Sequence, residues 1–238
     1  MEVRSLYREP EHREQVSFGA LEFHDVFRIY RSGAAETVAL RGLDLRVEPR
    51  ELVALYGPSG SGKSTAMHLA AALDEPSAGE VRVFGRTLSR LGDAELANYR
   101  ARVVAIVFQS GNLWTDLSAR ENVALGLRLA GRGRNVTVAV DRALDAFDLQ
   151  RREDQLAGSL SGGEQQRVAI AAAAAREAPL VLADEPTAEL DAANEQAVLR
   201  SLRRLRDEFG SAVVVVTHSP RVAEVADRVI EIRDGVVT

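Results

Sequence analysis

The sequence predicts an α/β protein with a doubly wound, mostly parallel core, and three observations carry that prediction. An apolar run at 51–56 leads into a glycine-rich loop and then a helix-patterned stretch. The last third of the chain alternates strand and helix patterns. Between residues 21 and 84, short β-patterned runs separated by polar or Gly/Pro turns add a small antiparallel subdomain.

Taken in order, residues 1–17 are charged, contain Pro10, and read as a flexible tail ahead of one domain spanning 18–238. Strand patterns follow at 21–29, 43–47 and 51–56, a helix at 64–73, and another strand pattern near 79–84. From about 88 to 158 the period is helical, broken by a strand at 103–108 and a glycine-rich stretch at 130–134, which predicts a helical subdomain. Helix 164–176, strand 180–183, helix 192–209, strand 212–217, a short helix from Pro220 and strand 229–233 complete the core. The five alanines at 171–175 favour helix and close packing. With the last strand so near Thr238, no C-terminal regulatory domain is expected.

Composition excludes several classes. A chain of 238 residues, 46% hydrophobic, is long enough to bury a large core. Its net charge of −5, with acidic and basic residues interspersed, gives no overall attraction to nucleic acid. No apolar run approaches the ~20 residues of a membrane-spanning helix, so a membrane role must come through a partner. Residues 1–15 are rich in Arg and Glu and lack the apolar core of a secretory signal, so a cytoplasmic protein is expected. The absence of cysteine removes disulfides, thiol nucleophiles and thiolate metal sites.

Gly57-Pro58-Ser59-Gly60-Ser61-Gly62-Lys63-Ser64-Thr65 fits G-x-x-x-x-G-K-[ST]. Its backbone N–H groups can wrap phosphate oxygens, helped by the positive end of the following helix. Lys63 is the only lysine; every other basic residue is arginine. A compact ammonium suits a cradle closed by backbone, where a planar guanidinium fits poorly. Ser64 offers a hydroxyl to Mg²⁺. A plain Gly/Ser turn is the bland alternative, but its place between an apolar strand and a helix argues for a nucleoside triphosphate.

The strand pattern at 180–183 delivers Asp184 and Glu185 at its C-terminal end, where parallel sheets bind ligands. Asp184 can hold Mg²⁺ through water, and Glu185 can orient and deprotonate an attacking water. Leu160-Ser161-Gly162-Gly163-Glu164-Gln165-Gln166-Arg167 places serine and two glycines at a helix start, both a capping box and a potential anion site.

In order, the 57–65 cradle, Gln109 after a strand, the 160–167 signature, Asp184-Glu185-Pro186-Thr187, Leu190-Asp191 and Thr217-His218 closely resemble the ATP-binding cassette (ABC) ATPases. The resemblance covers nearly everything from Leu21 to Gly235. It implies a P-loop nucleotide-binding domain with a RecA-like core, ATP and Mg²⁺ as cofactors, and ATP hydrolysis with Glu185 as general base. It also implies that Ser161, Gly162 and Gly163 bind the nucleotide of a second copy, so that a homodimer sandwiches two ATP. By the same resemblance, Gln109 senses Mg²⁺ and the attacking water, and the 109–117 segment contacts a membrane permease. His218 meets the γ-phosphate and positions Glu185, Asp191 couples the two sites, and Tyr30 stacks on adenine. Trp114, the only tryptophan, either docks the permease or fills the helical subdomain.

The wording of these motifs, with the 31–37 insertion after Tyr30, is similar to the lipoprotein-releasing, macrolide-export and cell-division branch. This implies a peripheral subunit at the cytoplasmic face of the membrane, driving export or mechanotransmission. The alternatives are a cell-division ATPase gating a periplasmic hydrolase through its permease, and a soluble ABC ATPase without a permease. Departures from the family's usual residues occur at Ala188, Glu189 and Ser219, across 113–116, where a proline is common, and at Ala172, where an arginine is common. The catalytic set is intact.

Overall fold

The computed structural model describes residues 18–33, 35–131 and 135–238. The tail read at 1–17 lies outside the described residues, as does part of the glycine-rich stretch at 130–134. The first elements among the described residues are two long antiparallel strands, β1 (Leu21–Ser32) and β2 (Ala35–Val47). β3 (Leu52–Tyr56), α1 (Lys63–Ala70), β4 (Ala78–Val83) and β5 (Arg86–Thr87) follow. Next come α2 (Asp93–Arg102), β6 (Val104–Val107), α3 (Ala119–Leu129), α4 (Val136–Ala146) and α5 (Gly162–Ala175). β7 (Leu180–Asp184), α6 (Ala192–Asp207), β8 (Ala212–Thr217), α7 (Pro220–Val225), β9 (Arg228–Arg233) and β10 (Val236–Val237) close the fold.

Two sheets result. One is antiparallel with order β2-β1-β4-β5; the other has order β10-β9-β3-β8-β7-β6 and is parallel except for β10, which returns against β9. β1 and β2 run beyond the lengths their apolar patterns indicate. Pairing continues through exposed residues such as Arg31 and Glu36, which face each other in register and form an ion pair.

β3, β6, β7 and β8 of the parallel sheet are apolar on both faces because both faces are covered, whereas β9 carries Arg228, Glu231 and Arg233. Alternate residues of β7 and β8 divide between two cores. Val181, Ala183, Val213 and Val215 pack with α3 through α6; Leu180, Leu182, Val214 and Val216 pack with α1 and the antiparallel sheet. The 88–158 span serves both sides of the sheet. Tyr99 of α2 joins the second core and β6 forms a sheet edge, while α3 and α4 pack on α5 in the first. Parallel register brings the C-terminal ends of β3, β7 and β8 side by side, with Tyr56 beside Thr217 and Asp184 beside Val216. The site lies at those ends.

Candidate active site

The loop after β3 and the residues ending β7 and β8 enclose an open cleft of about 720 Å³. It is lined by Pro58, Ser59, Gly60, Gly62, Lys63, Ser64, Thr65, Gln109, Asp184, Glu185 and His218, with Thr37, Val38, Ala39 and Val216. The loop fits closely against β2. Gly62 holds a left-handed backbone (φ 101°), and a Cβ there would stand 2.5 Å from the Ala39 carbonyl oxygen.

Lys63 is 6% exposed, and its Nζ donates to the carbonyls of Gly57 (2.9 Å) and Pro58 (2.8 Å). Burial lowers its pKa below the usual lysine value, against the raising pull of Glu185 and Asp184. Asp184 is shifted the other way. Burial and the neighbouring Glu185 charge raise its pKa, opposed by His68, Ser64 and Lys63. Ser64 Oγ lies 3.5 Å from Asp184 Oδ1, and Ser61 Oγ is buried without a hydrogen-bond partner.

A buried ammonium held only by carbonyls, a helix N-terminus and a carboxylate disfavoured in its charged form fit a polyphosphate with a hard cation. With Ser64 and Asp184 as the protein donors, such a cation would take its other ligands from phosphate and water, as Mg²⁺ commonly does.

At Glu185 the backbone turns left-handed (φ 44°), and its N–H donates to the Val216 carbonyl (2.9 Å). A non-glycine residue in this region is strained, which is common at functional sites. Glu185 Oε1 is 2.7 Å from His218 Nδ1. Gln109 enters from the loop after β6, with Nε2 3.5 Å from Glu189 Oε1.

Residues 161–163 are not among those lining this cleft. Ser161 caps α5: its Oγ accepts from Glu164 N (3.3 Å) while Glu164 Oε2 accepts from Ser161 N (2.9 Å). Gly163 packs so tightly on α6 that a Cβ would stand 2.4 Å from Asn194 Oδ1. Asp191 caps α6, accepting from Asn194 N (2.9 Å), and these amide bonds lower its pKa.

Tyr30 also lies outside the cleft lining. Its hydroxyl donates to Asp74 Oδ2 (2.8 Å), and the Arg28 guanidinium sits 4.4 Å from its ring centroid, occupying one ring face. Thr37, Val38 and Ala39 also line the cleft, although their side chains carry no chemistry that marks them as site residues in the sequence. Only their pairing partners bring them to the cleft.

Fold and cleft define a P-loop nucleotide-binding protein. Residues 40–188 match the family model described as ABC transporter. The macrolide export ATP-binding/permease protein MacB of Syntrophobacter fumaroxidans is 42% identical over 91% of this chain, which spans only 31% of that protein. The lipoprotein-releasing system ATP-binding protein LolD 2 of Caulobacter vibrioides is 43% identical over 87% of this chain and 92% of its own length. The dimeric structure of a post-hydrolysis state of the ATP-binding cassette MJ0796, bound to ADP and Pi, aligns with a TM-score of 0.82 and 37% identity, covering 91% of this chain and 96% of that one. The chain belongs to the ABC transporter family and is an ATP-hydrolysing cassette of the MacB/LolD type. No helix among the described residues is long and apolar enough to cross a membrane.

Proposed function

We propose that the chain works as a homodimer closed on two Mg·ATP, at the cytoplasmic face of a membrane, and drives a partner permease in export or transmembrane force transmission. The observation that carries this reading is the separation between two phosphate-directed helix ends. Lys63 and Glu185 face one cleft, and residues 161–163 stand outside its lining. A second copy is the simplest source of the missing half.

In each cleft the 57–65 loop and Lys63 hold the β- and γ-phosphates, and Tyr30 meets adenine with the ring face that Arg28 leaves open. Ser64 and Asp184 are the residues that would hold Mg²⁺, which would supply neutralisation of the phosphate charge. Glu185 takes the proton of the attacking water on Oε2, since Oε1 is engaged by His218. His218 thereby orients the base, and Gln109 orients the water. Ser161, Gly162 and Gly163 of the other copy bind the γ-phosphate from the opposite side, and Asp191 links the two sites.

The permease is placed at the 109–117 segment. In support, Trp114 is 69% exposed and Leu129 73% exposed, and both line one groove with Leu113, Leu125, Gly126 and Ala172. The names of the relatives, macrolide export for MacB and lipoprotein release for LolD 2, support export or transmembrane force transmission as the work done.

Glu185→Gln tests the central step. Hydrolysis should stop while an ATP-bound dimer accumulates on size-exclusion chromatography, and wild-type turnover in this variant would remove Glu185 as the base.

A further inference from the structure

We infer that Gln166 is a positioning residue for hydrolysis, fastening the backbone of Gln109 to the helix that starts at Ser161. The inference rests on the role given above to Gln109. Gln166 sits on α5, little more than a turn beyond residues 161–163, and is 5% exposed. Its Nε2 donates to the carbonyls of Gln109 (2.6 Å) and Phe108 (3.0 Å), and its Oε1 accepts from Asn112 Nδ2 (3.1 Å). Asn112 closes the same loop upon itself. Its Oδ1 accepts from Phe108 N (2.7 Å) and its Nδ2 donates to the Phe108 carbonyl (2.7 Å).

Farther along, Asn122 receives Trp114 N (2.9 Å) and donates to the Trp114 carbonyl (3.0 Å). The segment from Phe108 to Trp114 is therefore pinned at two buried amides, one on α5 and one on α3. Between them the Gln109 side chain reaches the cleft.

A buried amide using both its ends is expensive to release, so the loop follows α5 rather than moving apart from it. A helix translates as a unit, and a displacement at residues 161–163 reaches the Gln109 carbonyl through one side chain. Engagement of residues 161–163 with the nucleotide of a second copy thus sets Gln109 in this copy's own cleft. A purely structural amide, filling the core beneath the loop, would leave Gln109 no more affected than any other residue.

A kinetic cycle on the full chain separates the two. Turnover, KM for ATP and affinity for a fluorescent ATP analogue are measured for Gln166→Met, Gln109→Ala and the double variant. Loss of a positioning contact should lower kcat about 10- to 100-fold, as for outer-shell groups generally, with analogue affinity within about twofold of wild type. Because Gln166 acts through the Gln109 side chain, the double variant should be no slower than Gln109→Ala alone.

Multiplying losses, or wild-type kcat in Gln166→Met, would overturn the inference and leave the role of Gln109 standing. Wild-type kcat in Gln109→Ala would remove that role and the inference with it. If Gln166→Met does not fold, Asn112→Ala loosens the same loop at a less buried position and enters the same cycle, with the same outcomes.

Discussion

Ser118 and Ser161 are two copies of one capping device, and replacing each with alanine separates the structural work of a cap from the chemistry assigned to residue 161. At both positions the hydroxyl accepts from the amide three residues on, at 3.2 Å from Glu121 and 3.3 Å from Glu164. At both, the glutamate returns a bond to the serine N–H, at 2.8 Å and 2.9 Å. Alanine deletes the hydroxyl and leaves the glutamate return to the serine N–H in place, so each variant loses one N-cap, about 1 kcal/mol, and Ser161→Ala also loses the bond from Ser161 Oγ to Glu164 Oε2 (2.9 Å). For a chain of this size the lost cap lowers Tm by about 2–4 °C, and thermal melts should show that shift in Ser118→Ala and a somewhat larger one in Ser161→Ala. Turnover should part the pair. Ser118→Ala should hydrolyse ATP like wild type, and Ser161→Ala should lose about 10²-fold, as when one donor to developing charge is removed.

Mixing supplies the decisive arm. Ser161→Ala keeps an intact cradle, and Lys63→Ala keeps intact residues 161–163. An equal mixture of these two inactive variants forms hybrid dimers with one whole site, restoring about a quarter of wild-type turnover if copies pair at random. A mixture that stays inactive, or a Ser118→Ala variant as slow as Ser161→Ala, would refute the shared-site reasoning.

Lys63→Arg keeps the charge but forces a larger head into a buried shell. Overpacking of about 1–3 kcal/mol should weaken ATP about 5- to 150-fold, and unchanged affinity in a fluorescent-nucleotide titration would show that charge alone suffices. Asp184→Asn should stabilise the nucleotide-free protein while abolishing turnover. The folded pKa of Asp184 is raised above the unfolded value of about 3.9, so the ionised group opposes folding at neutral pH. The gain in Tm should shrink as pH falls through the folded pKa, and a lower Tm at neutral pH would contradict the burial argument. Gly163→Ala sets helix propensity, worth about 1 kcal/mol, against overpacking of about 1–3 kcal/mol on Asn194. Chemical denaturation should show net destabilisation that reverses in an Asn194→Gly background.

The strands at 180–184 and 212–217 and the cradle were legible because each is contiguous and chemically pure: apolar on both faces, or glycine-rich ahead of a helix. The β1–β2 pair was only partly legible. The exposed residues Ala35, Glu36 and Thr37 carry no apolar alternation, so the full length of β2 follows from its pairing with β1 rather than from its own pattern. β10, two residues long, had no period to detect.

Within the site, Lys63, Asp184 and Glu185 were marked by residue type and by position after a strand or its loop, and His218 by the resemblance to the family. Thr37, Val38 and Ala39 were not, because they reach the cleft through the placement of β2 in the antiparallel sheet. The bond between Gln166 and the Gln109 carbonyl was hidden for a related reason. It joins two segments far apart in sequence through a backbone acceptor, which leaves no mark on residue identity.

Lys63 has one more consequence, in the chemistry of labelling and cutting. A protease that cleaves only after lysine finds a single bond to attack in the whole chain, and an amine acylator finds a single side chain. Both targets lie inside the folded cradle, where the ammonium is buried against Gly57 and Pro58. Cleavage into two fragments therefore requires this loop to open, and its rate tracks the open population where reclosing outpaces cleavage and the opening rate where cleavage is faster. The protein carries its own site-specific reporter of local stability, at the place where nucleotide binding should change that stability most.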